Sequence, residues 1–451
     1  MLLNAFTMNC ISHIQHGLWT REDSRQLDYT SLEPWIELAK LLERGCFDAL
    51  FLADVIGVYD TYRGGPETSI REAMQIPVND PAMLIPAMAY ATEHLGFAFT
   101  GSVLQTPPFT FARTLSTLDH LTQGRVAWNV VTSYLPNAGA NLGFGTLPSH
   151  DERYDRGDEY LEVMYKLWEG SWEDDAVLAD RTRGVYADPE KIHPIDHFGK
   201  YYQVAGPHLC EPSPQRTPLL FQAGSSDRGR EFAARHAECM FVVGPKRNLQ
   251  GEKGLIPDVL ARAARYGRSA GDIRFFQGLC PVVGGTEAEA EAKRAEYLEQ
   301  LSTEGSLAHV SGALGVDLSD IDPDVPLEEL RSDSVRGIVR GLIDTAPAGT
   351  RTFRDLMRLQ MAGQYLCGTP ETIADRLEDW CDAGIDGFNL VYCVSPGSFV
   401  DFVDAVVPVL QARGRVQKSY SPGPLREKLF GRPRVPASHP AAAYRCTLSR
   451  R

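Results

Sequence analysis

The chain has 451 residues, of which 43% are hydrophobic and 23% are charged, and its formal net charge is −14 at pH 7. This composition is typical of a soluble globular enzyme. The negative charge disfavours nucleic acid or an anionic membrane surface as a partner, because both require basic surface. Nine cysteines without a CxxC pair predict reduced thiols in a cytoplasmic protein, and the sequence indicates neither a membrane span nor a metal-ligating cluster.

Eight short apolar runs alternate with helical patterns along the chain. The predicted strands are residues 3–8, 47–54, 95–102, 125–133, 218–224, 239–244, 273–284 and 387–394. Helical patterns cover residues 35–42, 82–94, 111–121 and 373–383. This alternation predicts an α/β fold, a parallel (β/α)8 TIM-type barrel whose strands are buried on both faces. A doubly wound open sheet is the alternative, although no GxGxxG motif follows the first strand.

Long segments follow strands two, four and seven, on the side of the barrel that carries the active site in this fold. We therefore predict a barrel over residues 1–415 with insertions at about 176–217 and 286–363. The last residues, 416–451, are rich in Pro and Arg. They are predicted to form an extended C-terminal arm, which could pack on a neighbouring subunit.

The segment LLFQAGSSDRGREFAARHAE, residues 219–238, joins the fifth predicted strand to a helix. The helix is predicted to begin near Asp227, with Ser225, Ser226 or Asp227 at its N-cap. Free backbone N–H groups at such an end attract anions, and small residues allow a phosphate to approach closely. A plain serine cap is the other interpretation of this segment taken alone.

A second candidate anion site lies in SHDERYDRGDEY, residues 149–160. His150, Arg153 and Tyr154 stand at the start of a predicted helix, and His150 and Tyr154 share one face because they are four residues apart. The pattern fits either a charged helix start with a surface histidine or side chains that line a cofactor.

Polar residues also stand at the ends of other predicted strands. Asp54 ends the second strand, Thr100 lies near the end of the third, and Asn129 belongs to the fourth. With the serine segment they predict a polar rim around one barrel mouth. Cys10 and His13 follow the first strand and could face this cavity, although Cys10 also fits as a small core residue.

Several long motifs resemble one enzyme family. They are NAFTMNC, FDALFLADV, VNDPAMLIPAMA, RTLSTLDHLTQGRVAWNVVTS, HDERYDRGDEYLEVMYKLWEGSW, PSPQRT and QAGSSDRGREFAARHAE. They look like those of the bacterial-luciferase-like flavin monooxygenases, in the branch that includes the nitrilotriacetate and dibenzothiophene-sulfone monooxygenases. The resemblance covers nearly the whole chain and is greatest to members that oxidise long-chain alkanes. It implies a TIM-type barrel that binds reduced FMN.

The resemblance also implies which residues contact FMN and substrate. The positions that match FMN contacts are Asp54, Thr100, His150, Tyr154, Ser225 and Ser226, to which we add Asn129 from its place at the rim. The positions that match the substrate pocket are Cys10, His13, Tyr59, Gln75 and His309. Tyr134 departs from the pattern, because the alkane-oxidising members have histidine there, and a tyrosine hydroxyl is a poor base near neutral pH.

The implied reaction uses FMNH2 from a separate NAD(P)H:flavin reductase, O2 and a small apolar or xenobiotic substrate, through a C4a-(hydro)peroxyflavin. His13 and His309 are expected to stabilise or protonate the peroxide, because imidazole titrates near working pH. Tyr59, Gln75 and Tyr134 are expected to orient substrate or peroxide. The insertion around His309 is expected to act as a lid that excludes water, and a homodimer or homotetramer is the family expectation.

Three alternatives stay open at this point. The same barrel could carry a deazaflavin-dependent oxidoreductase, or it could be a non-catalytic flavin-binding protein. An unrelated barrel hydrolase or lyase would need paired carboxylates at strand ends, and only Asp54 clearly qualifies.

Overall fold

Eight parallel strands form a closed barrel in the computed structural model, which describes residues 1–244, 246–250, 254–326, 350–361 and 365–445. The described strands are β1 (Leu2–Met8), β2 (Ala49–Ala53), β3 (Gly96–Ser102), β4 (Val126–Val131), β5 (Val177–Asp180), β6 (Val185–Ala187), β7 (His197–Phe198), β8 (Gln203–Val204), β9 (Leu219–Gln222), β10 (Cys239–Val242), β11 (Arg274–Val283), β12 (Tyr365–Gly368) and β13 (Gly387–Leu390). The barrel order is β10-β9-β4-β3-β2-β1-β13-β11, and pairing of β10 with β11 closes the barrel. The predicted TIM-type barrel is therefore confirmed.

Helices surround the barrel between successive strands. They are α1 (Leu32–Arg44), α2 (Glu67–Arg71), α3 (Ile85–Tyr90), α4 (Pro108–Leu121), α5 (Pro136–Asn141), α6 (His150–Tyr165), α7 (Asp227–His236), α8 (Lys246–Leu249), α9 (Leu255–Arg265), α10 (Glu287–Gln300), α11 (Thr303–Leu314), α12 (Phe353–Met361), α13 (Pro370–Asp382), α14 (Gly397–Asp401), α15 (Val407–Ala412) and α16 (Leu425–Phe430). Among the described helices, none is long and apolar enough to span a membrane.

One helix prediction was too long. Residues 82–94 form a 3-10 turn at Pro81–Met83 followed by the short helix α3. Pro86 fits the start of a helix because it lacks an N–H group, so α3 begins as a separate element. Beyond α3, the backbone N–H groups of residues 93–95 donate to the Glu43 carboxylate at 2.5–3.0 Å instead of continuing the helix.

Strand side chains alternate between the barrel interior and the helix layer. Phe6, Phe51, Phe221 and Phe276 point inward and form edge-to-face or tilted ring contacts with centroids 5.2–5.5 Å apart. The alternate residues Leu50, Leu52, Trp128 and Leu220 belong to the outer core beneath the helices. The aromatic layer fills the barrel, so that a ligand can enter only above it, at the carboxyl ends of the strands.

The predicted insertions contain secondary structure of their own. Residues 176–217 form two small antiparallel hairpins, β5–β6 and β7–β8. Within residues 286–363 lie α10, α11 and α12. Residues 327–349, 362 and 363 of the predicted lid lie outside the described residues, and the lid role stays a prediction.

The C-terminal arm packs against its own chain at the amino ends of the strands. Arg426 of α16 and Glu238, which precedes β10, form a salt bridge in which both side chains are fully buried. Arg426 Nε and Nη2 donate to the two Glu238 oxygens at 2.7 and 2.9 Å, and Nη2 also donates to Thr217 O at 2.8 Å. The arm is thus not only extended: it carries a helix that covers the end of the barrel opposite the mouth. The boundary at residue 415 stays a prediction.

Replacing Arg426 with Leu should destabilise the protein by about 3–5 kcal/mol, because Glu238 would remain charged and buried without a partner. Urea unfolding followed by circular dichroism measures the change. The matched control is Arg44→Leu, which breaks an exposed ion pair with Asp404 and should cost less than about 1 kcal/mol. Adding Glu238→Gln to the Arg426 variant should recover part of the loss. Equal midpoints for Arg426→Leu and wild type would contradict this account.

Candidate active site

The segment that is predicted to bind phosphate lies between β9 and α7. Ser226 is the N-cap of α7, and its side chain accepts a hydrogen bond from Gly229 N. The His150 Nε2 and Ser226 Oγ atoms are 3.2 Å apart, and the His150 and Tyr154 rings contact each other edge to face, with centroids 5.2 Å apart. Ser225, Ser226 and His150 are exposed to solvent, whereas Tyr154 is buried. The structure therefore brings the two candidate anion segments together.

Gly224 allows the chain to turn directly against Tyr154. A Cβ atom at this position would lie 2.6 Å from the Tyr154 hydroxyl, which is closer than side-chain atoms approach one another. The Tyr154 hydroxyl also lies beside Ser226 and Thr132. The glycine thus places the α7 N-terminus and the tyrosine hydroxyl at one point, as an oxyanion ligand requires.

The barrel interior next to this turn contains buried polar atoms without partners. Asn129 Nδ2 donates to Thr100 Oγ1 at 2.9 Å. The Asn129 Oδ1 and Gln222 Oε1 atoms are buried and have no hydrogen-bond partner among the described residues. Because buried acceptors are normally satisfied, these two atoms indicate a ligand that supplies N–H or O–H donors. A flavin nucleotide, with its ribityl hydroxyls and ring N–H, fits such a lining.

Asp54 follows β2 and faces the same mouth. Its Oδ1 accepts a hydrogen bond from Val55 N at 2.9 Å. Burial raises the pKa of Asp54 from 3.8 to about 7, the hydrogen bond from Val55 opposes this change, and the charge of Asp80 adds to it. Asp54 can therefore lose or gain a proton near neutral pH.

A second group of side chains forms the histidine–tyrosine cluster, which consists of His16, His309, Tyr59, Gln75 and Tyr134. The His309 and Tyr59 rings contact each other edge to face, with centroids 5.0 Å apart. Tyr59 donates to Gln75 Oε1 at 3.2 Å, and its hydroxyl is also hydrogen-bonded to the Tyr134 hydroxyl. The Gln75 backbone has φ 51°, a strained conformation of the kind that concentrates at functional sites.

His13 joins this cluster to the barrel floor. Its ring lies 4.7 Å, centroid to centroid, from the inward-facing Phe6, and its backbone oxygen accepts a hydrogen bond from Gln75 Nε2 at 2.7 Å. His13 Nδ1 is buried and has no partner among the described residues. A polar ring atom without a partner above an aromatic layer suits contact with a bound ligand.

The expectation that His13 and His309 titrate near neutral pH is wrong for this structure. Burial lowers the pKa of His13 to about 3, with a further contribution from His309, and burial lowers the pKa of His309 to about 4. Both imidazoles are therefore neutral at pH 7, and they act as hydrogen-bonding groups rather than as cations.

Cys10 lies close to both groups, but it is not a nucleophile. Burial raises the pKa of the Cys10 thiol far above its ordinary value, and the charge of Asp54 raises it further. The thiol is therefore protonated at neutral pH, and the place of Cys10 in the substrate pocket stays a prediction. No group of three His, Cys, Asp or Glu residues in the described part of the chain is arranged to hold a metal ion.

The sequence analysis missed three residues of this site. Ser12 and His16 belong to the segment MNCISHIQHGLW and contact His309 through a hydrogen-bonded chain, and Gln222 lies beside the Gly224 turn. The spacing of His13 and His16 was a possible signal, but only the position of α11 shows that His16 faces His309. Arg153, a candidate anion ligand, donates from Nη1 to Pro148 O at 2.6 Å, while its Nε is buried without a partner among the described residues; its role stays a prediction.

Known proteins resemble this chain over nearly its whole length. A family described as luciferase-like monooxygenase matches residues 9–387. The chain is 50% identical to dimethyl-sulfide monooxygenase of Hyphomicrobium sulfonivorans, over 99% of this chain and 94% of the relative. It is 51% identical to long-chain alkane monooxygenase of Geobacillus thermodenitrificans, over 98% and 97% of the two chains.

Solved structures resemble the chain equally well. DmoA of Hyphomicrobium sulfonivorans superposes with a TM-score of 0.92 at 50% identity, covering 99% of this chain and 96% of that one. A riboflavin lyase solved with modified FMN and riboflavin gives a TM-score of 0.88 at 36% identity, covering 99% and 100%. The chain therefore belongs to the luciferase-like monooxygenase family, and it is an enzyme of the monooxygenase class.

Replacing Asp54 with Asn should stabilise the protein without ligand at pH 8 and have little effect at pH 4. Burial raises the pKa of Asp54 from 3.8 to about 7, so the ionised carboxylate destabilises the folded state. This destabilisation grows as the pH rises from about 4 to about 7 and is constant at higher pH. The gain at pH 8 should be about 1–3 kcal/mol. Urea unfolding at both pH values measures it, with the exposed Asp320→Asn as control. A gain of equal size at pH 4 would contradict the assignment.

Proposed function

We propose that this protein is an FMNH2-dependent monooxygenase that transfers one oxygen atom of O2 to an apolar organic substrate. The observation that carries the proposal is the joining of two candidate anion segments at one place: Ser226 and His150 form a 3.2 Å contact beside Tyr154, at the N-terminus of α7. This turn opens on a barrel mouth that is lined by two neutral histidines, the buried His13 and the partly buried His309.

The residues assigned to the cofactor fall into two sets. Ser225, Ser226, His150 and Tyr154 would hold the phosphate through N–H and O–H donors at a helix N-terminus. Asp54, Thr100 and Asn129 would lie along the remainder of the nucleotide, where Asn129 Oδ1 waits for a donor. When bound, reduced FMN supplies the electrons that activate O2.

The protein's own groups would orient the reacting oxygen and exclude water. Neutral His13 and His309 can each donate one N–H or accept one hydrogen bond at a developing oxygen charge. The Tyr59 proton is directed at Gln75 Oε1, so Tyr134 donates to Tyr59. These two hydrogen bonds orient the cluster. Tyr134 is its most exposed member, at 48%.

The donors at the proposed phosphate site suit a cofactor that exchanges with a separate reductase. The two arginines that flank the turn are already neutralised: Arg228 pairs with Asp155 and Asp158, and Arg230 pairs with Asp258 at 3.1 Å. Hydroxyl and N–H donors remain for the phosphate, and these bind more weakly than unpaired guanidinium groups. We therefore propose reversible uptake of FMNH2 from an NAD(P)H:flavin reductase. A homodimer or homotetramer stays a prediction.

The proposal of an apolar substrate rests on the relatives. Among the relatives, the names point to an alkane and a small sulfide as substrates, and both are largely apolar. Tyr134 stands where the alkane-oxidising members have histidine, so this position bears on whether the chain accepts an alkane or a sulfide.

The double variant Ser225→Ala, Ser226→Ala should weaken FMNH2 binding about 10- to 100-fold, because two donors to a phosphate are lost. Anaerobic equilibrium dialysis with FMNH2 and with reduced riboflavin measures the effect. Riboflavin binding should change little, since riboflavin lacks the phosphate. Ser116→Ala, which removes a buried hydroxyl elsewhere, is the control. Unchanged FMNH2 affinity would overturn the phosphate assignment.

The enzyme, supplied with FMNH2 by a flavin reductase under air, should oxygenate a member of one tested class. The classes are long-chain alkanes, dialkyl sulfides, aromatic sulfones and aminopolycarboxylates, and mass spectrometry with 18O2 should show one labelled atom in the product. Reduced deazaflavin in place of FMNH2 should give no product. Hydride transfer with the deazaflavin, or FMNH2 binding without any product, would favour the alternative functions.

A further inference from the structure

Ser12, His16 and His309 form a hydrogen-bonded chain that ends at the barrel mouth. The Ser12 Oγ and His16 Nδ1 atoms are 2.7 Å apart, and 2.8 Å separate His16 Nε2 from His309 Nδ1. Ser12 and His16 are fully buried, whereas His309 is only partly buried. The hydrogen-bonded series therefore runs from the buried Ser12 to the more accessible His309.

The position of His16 is set by α11, the helix that carries His309. Ser302, the N-cap of α11, donates its backbone N–H to His16 O at 2.8 Å. A Cβ atom on Gly305 would lie 2.9 Å from His16 Cβ, so the helix can approach this closely only with glycine there. The two imidazoles are consequently held in one arrangement.

Both histidines are neutral, so each ring carries a single N–H. Burial lowers the pKa of His16 well below 6.5, and the neighbouring His309 and His13 lower it further. Burial also lowers the pKa of His309 to about 4. A neutral imidazole donates from one nitrogen and accepts at the other, and the position of each proton is decided by the partner at the opposite nitrogen.

The Ser12 hydroxyl decides which atom donates in each of these hydrogen bonds. Within the described part of the protein, Ser12 Oγ is hydrogen-bonded to His16 Nδ1 alone, and a buried O–H requires an acceptor. Ser12 therefore donates to His16 Nδ1, which places the His16 proton on Nε2. That proton is donated to His309 Nδ1, and the His309 proton must then sit on Nε2.

We propose that Ser12 and His16 are positioning residues that hold His309 in the Nε2–H tautomer, so that His309 offers a fixed hydrogen-bond donor to oxygen at the barrel mouth. The proposal rests on the proposed function, in which His309 contacts the reacting oxygen. In this form His309 stabilises negative charge on oxygen without changing its own protonation state. The opposite tautomer would present a lone pair and would repel that charge.

The tautomer can be measured on the protein without cofactor. Long-range 1H–15N spectra of 15N-histidine-labelled protein identify the protonated nitrogen in each of the 11 histidines, and His309→Gln assigns the signal. Wild type should show His309 protonated on Nε2, and Ser12→Ala should show both tautomers. Protonation on Nδ1 in wild type would overturn the inference even if the enzyme oxygenates its substrate as proposed.

Steady-state rates, measured with the substrate that the enzyme oxygenates, give a second test. Ser12→Ala should lower kcat about tenfold with KM within about twofold, since only the stabilisation of developing charge is lost. His16→Gln keeps an N–H that can reach His309 and should retain more kcat than His16→Met, which has none. Equal kcat for His16→Gln and His16→Met, or a wild-type kcat for Ser12→Ala, would contradict the positioning role.

Ser116→Ala is the matched control for Ser12→Ala. Ser116 Oγ lies 2.9 Å from His208 Nε2 in a buried pair of the same chemistry, away from the barrel mouth, and its loss should leave kcat and the His309 signal unchanged. If no substrate class is oxygenated, the proposed function fails, whereas the wild-type spectrum still decides the tautomer.

Discussion

Closure of the barrel is the constraint on which the rest of the structure depends. Pairing of β10 with β11 completes the ring of parallel strands, and alternation then sends every second side chain inward. The inward aromatic rings fill the lower part of the barrel. All the strands deliver their carboxyl ends to one mouth, where polar residues that are distant in sequence become neighbours.

Desolvation is the second consequence of this closure. The groups at the mouth lie above an aromatic floor and beneath α11, so their charged forms are disfavoured. The same cause keeps His13, His16 and His309 neutral, keeps the Cys10 thiol protonated, and moves the pKa of Asp54 to about 7. A pocket with these properties suits chemistry in which water must be kept from a reactive oxygen species.

The two ends of the barrel are stabilised in different ways. At the amino ends of the strands, the C-terminal arm contributes the fully buried Arg426–Glu238 pair, which anchors α16 across the closed end. At the mouth, polar atoms such as Asn129 Oδ1 and His13 Nδ1 remain unpaired among the described residues. These unpaired atoms at the mouth are available to a bound ligand.

Local pattern alone predicted all eight barrel strands, since a buried parallel strand is a short apolar run that needs no distant information. The sequence motifs also assigned His150, Tyr154 and Ser226 to one site, and the structure brings these residues together. The length of the helix at residues 82–94 was not predictable, because the Glu43 carboxylate that ends the helical pattern there comes from a distant segment.

The sequence by itself determined the fold class, the family and most of the residues at the mouth, because strand periodicity and long motifs are properties of neighbouring residues. Tertiary structure alone decided the protonation of these residues and the partners of His309. Burial depends on every element packed around a group, and the 2.8 Å contact between His16 and His309 joins residues 293 positions apart. A pattern of neighbouring residues cannot predict a contact between residues so far apart in the sequence.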